Sequence, residues 1–224
     1  MTVSVTWYGH ACFRLEADGV SVVTDPYTPE TSGFRPVSQP ADIVVRSSPV
    51  DAFHCNAAMI PGSPELVEAI DLAGKGPRTF RGVEFETFPT QESLIHKSAP
   101  LDNAMYRFTL GGVRILHLGD LGNAFEQTHL DALRDQVDVM LTLVGGPPTI
   151  ELEDLDRALA EIRPHVVIPM HFKVPQLKLR ALPVDVFLGR HEGETVRRVG
   201  SPTVDVDPAA LPPATETWVL EPAC

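Results

Sequence analysis

The chain has 224 residues, 43% of them hydrophobic, which suits one compact unit with a sizeable buried core. A formal net charge of -12 argues against long nucleic acid as the main partner, because phosphate neutralisation needs clustered Lys and Arg. No run approaches the roughly 18 apolar residues of a membrane span, Met1–Arg14 has no basic segment leading into an apolar one, and Cys12, Cys55 and Cys224 are too few and too scattered for a disulfide framework, so a cytoplasmic protein is expected.

In chain order, Val3–Trp7, Cys12–Glu16 and Val20–Thr24 read as strands, with a turn at Ala17-Asp18-Gly19 and a stop at Asp25-Pro26. A Pro-, Ser- and Thr-rich loop reaches Pro40 before the apolar run Ile43–Val45, and the loop beyond it carries Asp51 and His54. Leu66, Val67, Ile70 and Leu72 suggest a short helix over Pro64–Ala73. Strands follow at Thr79–Phe80, Val83–Phe88, Ala104–Leu110 and Val113–Leu118, the last two joined through Gly111-Gly112. A helix is expected over Ala124–Arg134, a buried strand over Val137–Leu143, an amphipathic helix over Leu152–Ile162 and a strand over Val166–Met170. The tail from about residue 201 is a proline-rich extension expected to add little core, with an edge strand at Thr217–Leu220. Two packed sheets with helices outside would use every apolar face, giving a single α/β domain over 1–224 with a four-layer αββα sandwich.

Chemistry concentrates at strand ends. Ile115–Leu118 leads through Gly119 to Asp120, and Val166–Met170 leads to His171. A buried carboxylate needs a hydrogen bond, a proton or a cation. With Asp25 at a third strand end and Asp51 and His54 in a loop, the pattern suggests ligands converging on one rim, and imidazole with carboxylate suits zinc, manganese or iron. Lys173, Lys178 and Arg180 lie close together in sequence, and such a basic loop could still bind a phosphorylated small molecule despite the acidic balance. His117 is expected inside its strand and His129 on an exposed helix face, while His165 and His191 fall at a helix end and in a charged turn.

Five segments in order, Thr6–Ala11, Thr24-Asp25-Pro26, His117–Asp120, Gly145-Gly146 and Ile168–His171, resemble the metallo-β-lactamase fold. The branch they resemble most contains L-ascorbate-6-phosphate lactonase and uncharacterised metal-dependent hydrolases. The resemblance implies an αββα sandwich and a hydrolase that sets a metal-activated water on a small ester, lactone or phosphorylated metabolite. It implies metal-ligand roles for Asp120 and His171, catalytic roles for Asp120, Asp51 and His10, and a supporting role behind the ligands for Asp25.

One hallmark is eroded. The family's His-x-His-x-Asp-His motif should fall within Arg46–Asn56, where His54 is the only histidine. With His54 as the last member, the preceding ligand positions fall on Pro49, Asp51 and Phe53, leaving Asp51 as the substitute and Cys55 as a further thiol nearby. The middle histidine aligns near Gln91 or Glu92, with His96 the nearest imidazole. The expected ligand pool is therefore Asp51, His54, Glu92, His96, Asp120 and His171 around one divalent ion, zinc or manganese, weakly held or absent in a degenerate member that only binds a ligand or partner. A second copy of the chain is left open as a partner; a membrane and long nucleic acid are not expected.

Overall fold

The computed structural model describes residues 2–224. Strands are numbered in chain order: β1 Val3–Gly9, β2 Cys12–Ala17, β3 Val20–Thr24, β4 Ile43–Arg46, β5 Glu65–Glu68, β6 Arg78–Phe80, β7 Val83–Gln91, β8 Asp102–Leu110, β9 Val113–His117, β10 Val139–Leu143, β11 Val166–Met170, β12 Thr195–Arg198, β13 Thr203–Val206 and β14 Glu216–Val219. The helices are α1 Pro29–Ser32, α2 Ala69–Leu72, α3 Gln127–Leu133, α4 Leu152–Ile162 and α5 Val184–Leu188. One six-stranded sheet runs β13-β1-β2-β3-β4-β5, and an eight-stranded sheet runs β12-β14-β11-β10-β9-β8-β7-β6. The result is the expected α/β sandwich, with thin helical layers.

Periodicity explains most of this. β1 alternates, sending Val3, Val5 and Trp7 into the core, whereas β10 and β11 are buried at every position, as parallel strands covered on both faces must be. The apolar stripe Leu152, Leu155, Leu159 and Ile162 buries α4 against the sandwich.

Direction of travel positions the site. β1 and β3 both pair antiparallel with β2, and β4 runs parallel to β3, so β1, β3 and β4 end on one rim. In the second sheet β7 and β9 both pair antiparallel with β8, while β10 lies parallel to β9 and β11, so β7, β9, β10 and β11 also end together. Loops beyond the carboxyl ends of co-directional strands are where open α/β sheets build ligand sites.

Four expectations change. The Pro64–Ala73 segment forms β5 followed by the four-residue α2, because Glu65–Glu68 pairs with β4 in register and Arg46 bonds Glu68 across the pair; a sheet partner outweighs a weak local helix pattern. The tail does add core: Val204, Val206, Trp218, Val219 and Leu220 are buried. The strand near its end is internal, because β12, exposed at every position and without an apolar signature, covers the outer side of β14. His129 is buried, with its ring edge-on to Phe88 at 5.7 Å.

Asp138 fastens the start of β10 to β9: it accepts bonds from Arg114 N at 2.7 Å, Nε at 3.1 Å and Nη2 at 2.6 Å. Burial would raise this carboxyl, but the Arg114 bonds hold it below its ordinary value. A depressed carboxyl stabilises the fold above its unfolded value of about 3.9, and that contribution fades as pH falls through the folded value. Asp138→Asn is expected to cost about 1–3 kcal/mol at pH 7, with the difference from wild type closing below about pH 4. Urea denaturation across pH measures both.

Candidate metal centre

Six strands deliver the site. β1 ends at His10, β3 at Asp25, β4 at Ser47 ahead of the His54 loop, β7 at Glu92, β9 at Asp120 through Gly119, and β11 at His171. His10, Asp25 and His171 adopt left-handed backbone (φ 51°, 37° and 57°), which costs about 1–3 kcal/mol each and is sustained only where surrounding contacts dictate it. Those contacts are present at His10 and His171: the His10 carbonyl accepts from Trp7 Nε1 at 3.0 Å and His171 N at 3.2 Å.

Asp25, 0% exposed, is the anchor. Its Oδ1 accepts Ser47 N at 2.8 Å and Tyr106 OH at 3.1 Å; its Oδ2 accepts Ser47 Oγ at 2.6 Å and faces His54 Nδ1 at 2.8 Å. Burial pushes this carboxyl up, but the field of His117, the bond and charge of His54, and the Ser47 hydroxyl bring it below its usual range. An ionised Asp25 accepts a hydrogen bond from His54 Nδ1–H, so Nε2 of His54 looks toward Asp120 Oδ1, 3.9 Å away. Burial opposes a charge on His54, yet the Asp25 bond and the Asp120 field raise it to about 9.

His117 completes the floor. It accepts Gly119 N at Nδ1 (2.9 Å), so Nε2 carries the proton donated to Ala11 O at 2.9 Å, and the ring stacks on Tyr106 with centroids 4.9 Å apart. Gly119 lies at φ 60°, and a Cβ there would collide with Asn103 Oδ1 and Ser47 Cβ. That close approach lets Asn103 Oδ1 accept Asp120 N at 2.9 Å and fixes the turn that presents the carboxylate.

Three buried imidazoles face one another: His10 stands 4.1 Å from His171 and 4.9 Å from His54, centroid to centroid. Their donor atoms form one group of metal-binding size, and Asp51, His54 and Asp120 form a second that shares His54. Both ring nitrogens of His10, Nε2 of His54, Nδ1 of His171 and Oδ1 of Asp120 are buried and have no hydrogen-bond partner among the described residues. Burial, then the neighbouring histidines, holds His10 well below its ordinary pKa; burial likewise lowers His171 despite the opposing field of Asp120. Neutral imidazoles at His10 and His171 offer lone pairs to a divalent metal, and His54 would release its Nε2 proton on binding one, as metal binding to a protonated ligand requires.

The other ligands expected from sequence lie apart. Glu92 is buried, but its Oε2 accepts Leu101 N at 2.9 Å and its Oε1 lies 2.7 Å from Lys97 Nζ, an ion pair by distance that is not aligned as a hydrogen bond. His96 pairs with Glu151 at 2.9 Å, and exposed Gln91 donates to Asp102 at 3.2 Å. Cys55 is half-buried and belongs to neither donor group. Phe53 sets its ring 5.3 Å from that of His10. Sequence reading places His10 at the site in a catalytic role rather than as a donor and Arg180 in a basic loop, and it misses Lys97, whose adjacency to His96 is the one trace.

The donors open into a cavity of about 580 Å³ whose walls include Asp51, Phe53, Lys97, Pro148, Leu179 and Arg180. In the basic loop, Lys173 Nζ bonds Leu177 O at 3.1 Å and Lys178 Nζ bonds Glu30 O at 2.8 Å, while Arg180 faces the cavity.

The profile of the beta-lactamase superfamily domain matches residues 4–171. The chain belongs to that superfamily. Among its relatives, a Pyrococcus abyssi protein is 26% identical over 179 residues, covering 76% of this chain and 83% of the relative. A Thermoplasma acidophilum protein, named a metal-dependent hydrolase, is 24% identical over 200 residues, covering 81% and 88%. A solved Thermotoga maritima structure of the metallo-beta-lactamase superfamily superposes with a TM-score of 0.76 at 28% identity, covering 98% of this chain and 100% of that one. A metallo hydrolase from Ignicoccus hospitalis shares the fold at a TM-score of 0.67 and 21% identity, covering 99% and 96%.

If Asp25 holds the site, Asp25→Asn should cost about 3–5 kcal/mol of stability, the penalty for removing one member of a buried charged network. Denaturant unfolding measures it; a loss under 1 kcal/mol would show that the network is not needed.

Proposed function

We propose that this superfamily member is a metal-dependent hydrolase using one divalent ion, zinc or manganese, held by His10, His54, His171 and Asp120. The observation that carries this is the set of buried, unpartnered nitrogens on His10, His54 and His171, whose donor atoms group together, beside an equally unpartnered Asp120 Oδ1 that lies 3.9 Å from His54 Nε2 and 3.8 Å from His171 Nε2. Each such atom left bare would cost about 1–3 kcal/mol. The names of the relatives agree with it.

A bound ion supplies Lewis acidity, polarising a carbonyl or phosphoryl group and making water nucleophilic near neutral pH. The chain does the rest. Asp25 fixes the His54 ring and tautomer, as a carboxylate behind a ligand does. Asp51, half-buried at the cavity wall and grouped with His54 and Asp120, takes the proton of the attacking water. Phe53 and Leu179 exclude bulk water from one side of the cavity. Arg180 gives an anionic substituent of the substrate a counter-charge, which favours a small phosphorylated or carboxylated ester or lactone. Free Cys12, Cys55 and Cys224 suit a cytoplasmic setting.

Protein purified without added metal and then loaded with zinc or manganese should retain one equivalent after desalting. His54→Ala and His171→Ala should each weaken retention by on the order of 100-fold, and Asp120→Ala should abolish turnover of a panel of chromogenic esters, lactones and phosphomonoesters. Retention well below one equivalent under both metals contradicts the proposal. One equivalent with no turnover across the panel would favour a ligand-binding descendant, the alternative that Pro49 and Phe53 at customary ligand positions raise.

A further inference from the structure

Asp120 faces two ways. Its Oδ1 looks at the histidines, and its Oδ2 lies 3.4 Å from the Lys97 ammonium, which also stands 2.7 Å from Glu92 Oε1. Glu92 is only 2% exposed, and an ionised carboxylate at that depth requires a cation.

The loop that brings Lys97 there is tightly closed. Glu92 N bonds Leu101 O at 3.0 Å while Leu101 N returns to Glu92 Oε2 at 2.9 Å. Inside that clasp, Ser93 Oγ accepts Ile95 N at 3.3 Å and His96 N at 3.1 Å, and Ser93 O accepts Lys97 N at 3.2 Å. Asn123 pins the base by accepting Leu94 N at 3.1 Å and donating to Glu92 O at 3.0 Å. The ammonium is thus placed by the backbone, at the head of the cavity, with its side chain 29% exposed.

We propose that Lys97 is the second cation of this site: its ammonium occupies the position between Glu92 and Asp120 that would otherwise draw a second divalent ion, and so limits the centre to one metal. This rests on the metal reading above. Two carboxylates sharing one buried position offer oxygen donors to a hard or borderline cation once the ammonium is withdrawn. A lysine suits the place because a compact point charge satisfies both oxygens without a fixed coordination geometry.

Zinc and manganese stoichiometry, read by native mass spectrometry and elemental analysis of loaded, desalted protein, tests it. Wild type and Lys97→Arg should hold one equivalent, Lys97→Met two, and Glu92→Gln/Lys97→Met one again. If the Met variant does not unfold cooperatively, Lys97→Gln takes its place with the same expected count. One equivalent in wild type and still one in Lys97→Met, or two in wild type, overturns the role of Lys97. No metal in wild type overturns instead the metal reading on which it rests, so the two failures are distinct.

Discussion

The structure turns on a carboxylate buried away from water. Asp25 carries its charge at zero exposure because Ser47 supplies two bonds, Tyr106 a third and His54 a fourth. These partners come from the β4 loop of one sheet and from β8 of the other, so one charge ties the sheets together at the rim. In a low-dielectric interior such a charge is costly unless fully partnered, and that cost makes the geometry stiff. From it follow the tautomer of His54, the direction of its Nε2 and the distance between that nitrogen and Asp120.

Strand direction supplies the second constraint. The site residues end strands that travel the same way, and their side chains converge because the two sheets present their carboxyl ends on a common rim. Glycine at 119 and left-handed backbone at His10, Asp25 and His171 sharpen the turns that bring these groups within metal-binding distance. Three of the seven described non-glycine residues with left-handed backbone therefore lie at the site.

Sequence patterning exposes the parts of this arrangement that depend on local periodicity. α4 and β11 occur at their expected residues because a 3.6-residue stripe and a fully apolar run each have one good solution. Asp120 and His171 stood out as polar groups ending such runs. β5 was hidden because its identity as a strand comes from pairing with β4, and β12 because an edge strand with no buried face has no hydrophobic signature. His10 is legible as a residue of the site but not as a donor, since the left-handed turn after Gly9 is what directs its ring toward His54 and His171. Lys97 was silent for the same reason: its meaning depends on a loop closure between Glu92 and Leu101 that no spacing rule encodes.

Pro49 and Phe53 offer no donor side chain where the family resemblance expects a His-rich loop, and His10, at the end of β1, stands 4.9 Å from His54 between ring centroids. Anomalous scattering at the zinc edge from crystals of the loaded protein tests this most directly. The account predicts one strong peak within coordination distance of His54 Nε2 and Asp120, bordered by His10 and His171. A peak confined to surface carboxylates, or none in the cavity, would contradict it.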